Sequence, residues 1–222
     1  MTFDKAVENS ITLIKAAEGA SVRRIVHVSI TNPSNDSPLP YFKGKAEVED
    51  AIKKSKLSYA ILRPAVIFGD QGILINNIAW FLRRLPMFPI PGSGEYQLQP
   101  IYVEDLAELV VGAGQENENI IKDAVGPEVF SFNELVNLIA HIIHSKALVI
   151  HVNSELAQFG TNFLGRLLND VVLTRDEVKG LEANLLVSDR PPSGRTRLTN
   201  WLSENANWIG TNYMSEIKKH FV

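Results

Sequence analysis

Arg24-Ile-Val-His-Val-Ser29, Tyr41-Phe-Lys-Gly-Lys45 and Ser58-Tyr-Ala-Ile-Leu-Arg-Pro64 form the stretch on which the fold turns. Arg24–Val28 and Ser58–Leu62 are short apolar runs without a polar face, the pattern of strands covered on both sides of a parallel sheet. Between them, Thr31-Asn-Pro-Ser-Asn-Asp-Ser-Pro-Leu-Pro40 holds three prolines and reads as a loop. Tyr41 to Lys54 then reads as a helix. Strand, helix and strand in succession predict a layered α/β fold.

Outward from this stretch the alternation continues. Upstream, Val7, Ile11, Ile14 and Ala17 recur at helical spacing, so residues 4–18 are expected to form an amphipathic helix stopped by Gly19. Downstream, Arg63–Gly69 reads as a loop, Ile73–Leu85 as a helix and Pro86–Gly94 as a Pro/Gly-rich passage. Val103–Val111 is helical in character, Ile120–Val125 is a third strand and Leu148–Val152 a fourth. Ser131-Phe-Asn-Glu134 is a capping box opening a helix to about His144, and Thr174-Arg-Asp-Glu177 is a second one. Two regions are expected: residues 1–152, and a mainly helical region 153–222.

The 222 residues carry 22 Lys+Arg against 25 Asp+Glu, a formal charge of −3, so no electrostatic footprint for nucleic acid is present. The absence of cysteine excludes a disulfide framework, thiolate metal sites and a cysteine nucleophile. The apolar stretch Gly72–Leu82 is interrupted by Asn76 and Asn77 and is shorter than the ~20 residues of a membrane-spanning helix. No basic region followed by an apolar run opens the chain. A cytoplasmic protein is the expectation that follows.

The residues that point to chemistry are Ser29, Tyr41 and Lys45. Tyr41 and Lys45 are four apart on one helix and share a face. A phenol with a pKa of ~10 is a poor acid at neutral pH. An ammonium beside it stabilises the phenolate, as a general acid/base requires. Ser29 leaves the end of a strand, where open parallel sheets place their ligands. His141 and His144 lie three apart with no third ligand at a matching position, so no metal site is expected. His27 reads as a packed residue; Trp80, Trp201 and Trp208 read as core or interface anchors. Arg195 and Arg197 suit an anionic substrate or a solvated loop equally.

Val26-His-Val-Ser29, Tyr41-x-x-x-Lys45, Ser58–Pro64, Val66-Ile-Phe-Gly69 and Gln99-Pro-Ile-Tyr-Val-Glu-Asp-Leu-Ala107 follow one another in order. This series resembles the second half of an extended or atypical short-chain dehydrogenase/reductase. It is nearest the NAD-dependent epimerase/dehydratase group and the accessory NAD(P)H-binding subunit of respiratory complex I. The resemblance covers roughly residues 5–150. It implies the C-terminal half of a Rossmann-type parallel sheet with helices over residues 1–152, followed by a helical substrate-side region. It implies Tyr41 as catalytic acid/base, Lys45 on the ribose hydroxyls of NAD or NADP, and Ser29 orienting the substrate. Pro64, Ala65, Val66 and Phe68 would line the nicotinamide end. For Phe68 a core aromatic, and for Arg63-Pro64 a strand terminator, are the competing readings. Asp105 reads as a structural cap.

Two departures accompany the resemblance. The family's asparagine on the preceding helix falls near Ala6, and Asn9 is out of register. The glycine-rich turn of a dinucleotide site is missing: Gly92-Ser-Gly94 has Gln97 at the third position, and Gly112-Ala-Gly114 follows a helix. The chain therefore matches a family member from the helix before its fifth strand. It is expected to bind NAD(P) weakly or not at all, and to expose a sheet edge suited to association. Three readings remain open: an oxidoreductase or epimerase-like enzyme acting on a small molecule, a non-catalytic NAD(P)H-binding regulator or respiratory-complex assembly or accessory protein, or a remnant with no activity of its own.

Overall fold

The computed structural model describes residues 3–153 and 175–215. In chain order the first half contains α1 (Phe3–Gly19), β1 (Arg24–Val28), α2 (Pro40–Lys54), β2 (Ser58–Pro64), β3 (Ile67–Phe68), α3 (Ile73–Arg84) and β4 (Met87–Pro91). Then come β5 (Gln97–Leu98), β6 (Ile101–Tyr102), α4 (Val103–Gln115), β7 (Ile120–Ala124), β8 (Phe130–Ser131), α5 (Phe132–Ile142) and β9 (Leu148–Val152). Two helices follow among the described residues, α6 (Arg175–Glu182) and α7 (Leu198–Glu204). The second capping box, at Thr174, lies outside the described residues.

The central sheet is parallel, in the order β1-β2-β7, with Val28 opposite Leu62 and Leu62 opposite Lys122. Alternation along the strands sorts the side chains onto two faces. Ile25, Tyr59, Ile61 and Ile121 pack under Ile14 of α1 and Val48 and Ile52 of α2. Val26, Ala60, Leu62 and Ala124 pack against Leu106, Leu109 and Ala113 of α4. A sheet covered by helices on both faces is the Rossmann-type α/β arrangement that the alternation of elements implies.

The elements depart from the sequence reading in informative places. α1 does end at Gly19, and Ser21, two residues on, takes the left-handed region at φ 55°. The Val22 amide donates to the Ala17 carbonyl and the Ser21 amide to Glu18, so the turn after Gly19 satisfies carbonyls of the last helical turn. β2 continues through Arg63 and Pro64 because the amides of Ser29 and Thr31 donate to the carbonyls of Leu62 and Pro64, at 2.7 and 3.0 Å. Proline lacks only the donor there, so it can end a strand as an acceptor. The Pro/Gly-rich passage contains β4, which pairs in parallel with β9. Leu148–Val152 is thus a strand, but in a separate two-stranded sheet and not beside β7.

The largest apolar core gathers Phe68, Ile75, Ile78 and Leu82 with Leu135 and Ile139 of α5 and Leu198, Trp201 and Leu202 of α7. It therefore takes residues from both sides of the 152/153 boundary. The polar interruption of α3 explains how the chain's later part is held. Asn76 donates to the Asn212 carbonyl at 2.9 Å and accepts from the Gly210 amide at 3.0 Å. Asn77 donates to the Met214 carbonyl and accepts from its amide, at 2.8 and 3.0 Å. Two buried side-chain amides thus pair with four backbone groups of residues 210–214 and tie that segment to α3.

Candidate functional site at the carboxyl end of the central sheet

Pro40, at the first turn of α2, sets the helix start, and the i, i+4 spacing carries Tyr41, Lys45 and Glu49 along one stripe. Tyr41 is 39% exposed, its ring 5.9 Å from those of Phe3 and Phe42. The Lys45 ammonium lies 5.7 Å from the Tyr41 ring centroid and donates to the Val28 carbonyl at 3.2 Å. Lys45 is half-buried. Burial holds its pKa below the ordinary lysine range, while the charge of Glu49 acts in the opposite direction. Tyr41 and Lys45 are therefore brought together, at the end of β1.

Ser29 is placed differently from the expectation that it faces a substrate. It is buried, and its hydroxyl donates to Glu49 Oε1 at 2.6 Å. The Glu49 carboxylate, 1% exposed, also accepts from Arg63 Nε at 2.9 Å and Nη2 at 2.5 Å. A hydroxyl whose proton goes to a buried carboxylate has none left to donate to a substrate oxygen. Glu49 and Arg63 are the site residues that the sequence reading passed over. Their signals are visible afterwards: Glu49 is two turns beyond Tyr41, and Arg63 shares strand parity with Tyr59 and Ile61 on the α2 face.

His27 lies on the same face, its Nε2 buried without a hydrogen-bond partner. Burial, reinforced by the charge of Lys45 and opposed by Glu49, lowers its pKa from 6.5 to about 4. The imidazole is neutral at pH 7, in keeping with a packed residue.

The residues expected at the nicotinamide end divide. Pro64 is buried at the end of β2; Ala65 and Val66 are half-buried beyond it. Phe68 is 0% exposed, with its ring 5.4 Å from Tyr102 and 5.5 Å from Trp201. Of its two readings the structure gives the core one, because no face of the ring is open to a ligand. Trp201 and Trp208 also stack edge-on at 5.9 Å, and Trp80 meets Tyr213 at 5.2 Å, so the tryptophans anchor the core.

Asp105 is a structural cap: it accepts from the Arg195 and Thr196 amides, both at 2.7 Å. Arg195 also pairs with Glu108, and Arg197 with Glu128 at 2.8 Å, so carboxylates of the same chain meet both loop arginines. His141 and His144 are exposed, and no group of metal-ligating side chains occurs among the described residues. A groove of about 330 Å³ lined by Leu62, Ile120, Lys122 and Arg195 opens on the α4 face, across the sheet from Tyr41.

The carboxyl ends of β1 and β2 bring the Lys45 ammonium and the apolar residues Pro64, Ala65 and Val66 to one end of the sheet, where they could hold a ligand. No described turn supplies a pyrophosphate cradle. Gly92 and Gly94, at φ 60° and 71°, lie in the turn between β4 and β5, packed on the start of α5; a Cβ on Gly94 would lie 2.3 Å from the Asn133 side chain. Gly112 and Gly114 lie within α4.

Comparison with known proteins places this geometry. The chain is 25% identical over 185 residues to NADH dehydrogenase (ubiquinone) 1 alpha subcomplex subunit 9, mitochondrial, of Arabidopsis thaliana, covering 78% of this chain and 46% of that protein. To the Rattus norvegicus protein of that name it is 26% identical, covering 81% and 48%. Among solved structures it superposes on UDP-glucuronic acid 4-epimerase from Bacillus cereus, solved with UDP-glucuronic acid and NAD. That match has a TM-score of 0.63 at 16% identity, over 91% of this chain and 66% of that one. The fold is the Rossmann-type α/β fold of these dehydrogenase/reductase-like neighbours. The resemblance drawn from the five ordered motifs stands, including its placement near the NADH dehydrogenase subunit. No family model matches the sequence. The chain spans about half the length of these two curated relatives. The expected cytoplasmic location is corrected: the relatives from plant, slime mould, rodent and fungus are all named as mitochondrial. No described helix is long and apolar enough to cross a membrane.

Proposed function

We propose that this polypeptide holds the nicotinamide end of NAD(P) as an accessory element of a respiratory NADH dehydrogenase assembly, and is not a free-standing reductase. The observation that carries this reading is the engagement of Ser29 by Glu49 and Arg63. Tyr41 and Lys45 keep the positions of an acid/base pair, but the serine that would orient a substrate beside them is committed to a buried carboxylate. The names of the NADH dehydrogenase relatives support the assembly role, and the epimerase solved with NAD supports the nucleotide. Association through the outer edge of β1 belongs to the same reading, since β1 pairs with β2 alone among the described strands.

The proximity of Lys45 to the Tyr41 ring favours a second reading, an oxidoreductase or epimerase-like enzyme in which Tyr41 passes a proton while nicotinamide supplies hydride chemistry. Saturation-transfer NMR with NADH and the full chain tests the first reading. Saturation is expected on the nicotinamide and its ribose and little on adenine. Saturation centred on adenine, or none, would contradict it. Tyr41→Phe distinguishes the readings, because a holder keeps the same NADH contacts and has no turnover to lose.

A further inference from the structure

Tyr41, Lys45 and Glu49 occupy successive turns of one helix, and burial rises along them from 39% exposed at Tyr41 to 1% at Glu49. Lys45, in the middle, has a carbonyl acceptor in front, the Val28 oxygen at 3.2 Å, and the Tyr41 ring beside it. Behind it stands a carboxylate that cannot swing forward, because three donors hold it: the Ser29 hydroxyl and two nitrogens of Arg63. Each donor comes from the sheet, Ser29 just after β1 and Arg63 from β2. The extension of β2 through Pro64 is what sets Arg63 in place.

We propose that Glu49 is a positioning residue for the Tyr41–Lys45 pair: pinned by Ser29 and Arg63, its charge holds the Lys45 ammonium between the Val28 carbonyl and the Tyr41 ring. The inference rests on the nucleotide-holding reading for its use, and on the i, i+4 stripe of α2 together with the hydrogen bonds of Glu49 and Lys45 for its geometry. A freely moving glutamate would pair with Lys45 directly and draw the ammonium off Val28. A neutral residue would leave a half-buried ammonium with only dipolar partners. Ser29, on this account, restrains Glu49 and does not contact a ligand.

The charged and titratable groups around Lys45 are His27 from β1, Tyr41 and Glu49 from its own helix, and Arg63 from β2 behind Glu49. From α1, packed on the other side of α2, Phe3 meets the Tyr41 ring, and the Lys5–Glu8 ion pair is exposed. Glu49 is thus the anion set closest behind Lys45 on the stripe.

The test is the titration of Lys45 in the full chain, followed by carbon-13 NMR of the lysine ε-carbons, with exposed Lys43 and Lys54 as references. Glu49→Gln is expected to lower the Lys45 midpoint by about one pH unit or more while Lys43 and Lys54 stay put. Glu49→Asp, which keeps the charge, is expected to restore most of that shift. A folded Glu49→Gln chain whose Lys45 midpoint does not move would overturn the proposal. Should that variant fail to fold, Ser29→Ala decides. With one restraint gone the carboxylate moves closer to Lys45, whose midpoint rises by a few tenths of a unit; an unmoved or lowered midpoint overturns the proposal. The readout needs no nucleotide. A shifted Lys45 without NADH contact defeats only the nucleotide reading, and NADH contact with an unmoved Lys45 defeats only this one.

Discussion

Replacing Arg63 with methionine removes both guanidinium donors, at 2.9 and 2.5 Å, from a carboxylate that is 1% exposed. Ser29 is then the one remaining partner that these bonds provide. Breaking a buried ion pair from one side costs about 3–5 kcal/mol, because the surviving charge stays out of water without its counter-ion. The Arg63 side chain is 23% exposed, so solvent already weakens the pair and the lower end applies, about 3 kcal/mol. In a chain of this length each kcal/mol moves the melting temperature by about 2–4 °C, which predicts a fall of roughly 6–12 °C. Replacing Glu49 with methionine as well removes the stranded charge. That double variant is expected to recover most of the loss, less about 1 kcal/mol for the Ser29 hydroxyl left without an acceptor. Circular-dichroism melts at pH 7 on the wild type, the single variant and the double variant provide the comparison. An Arg63→Met chain that melts within about 2 °C of wild type would refute the buried pair as described. So would a double variant no more stable than the single one.

Other perturbations follow from individual contacts. His27 takes up a proton near pH 6.5 in the unfolded chain but only near 4 when folded, so stability is full above 6.5 and falls as the pH drops through that window. Urea midpoints at pH 7 and 4.5 should differ by more in the wild type than in His27→Leu; equal slopes would remove the buried imidazole from the account. Gly210 sits at φ 71°, where an added Cβ would lie 2.5 Å from the backbone of Ala79 and Trp80, so Gly210→Ala should lower the melting temperature by several degrees. Ser131→Ala removes the Oγ that accepts from the Glu134 amide at 3.1 Å in the capping box, a loss of about 1 kcal/mol measurable by urea unfolding.

The central sheet was legible because its evidence is local. Arg24–Val28, Ser58–Leu62 and Ile120–Val125 are apolar runs between turn residues, and each is a strand within a residue or two of the expected bounds. β4 was hidden by Pro89 and Pro91, although Phe88 and Ile90 are buried at the alternate spacing that marks a strand. Its pairing with β9, sixty residues away, has no local signature at all. Asn76 and Asn77 looked like breaks in an apolar stretch because the backbone groups they satisfy, on residues 210 to 214, are supplied by the tertiary fold.

The site divides in the same way. Tyr41 and Lys45 share a helix, so spacing brought them together correctly. Ser29 sits at the end of its strand as expected, yet its partner could not be read from its neighbours. That partner depends on which face of β1 turns toward α2 and on how far β2 extends. Glu49 and Arg63 meet only through the sheet. The choice between a substrate-orienting serine and a clamped one was therefore beyond local reasoning, and it is the choice that bears most on function.

Calorimetric titration of NADH into the full chain, with Lys45→Ala alongside, tests most directly the proposal that this polypeptide offers the nicotinamide end of a dinucleotide site, with no pyrophosphate cradle among its described residues. The account predicts weak binding, detectable only at high NADH concentration and weakened further in the variant. A dissociation constant in the low micromolar range, or one indifferent to Lys45, would contradict it.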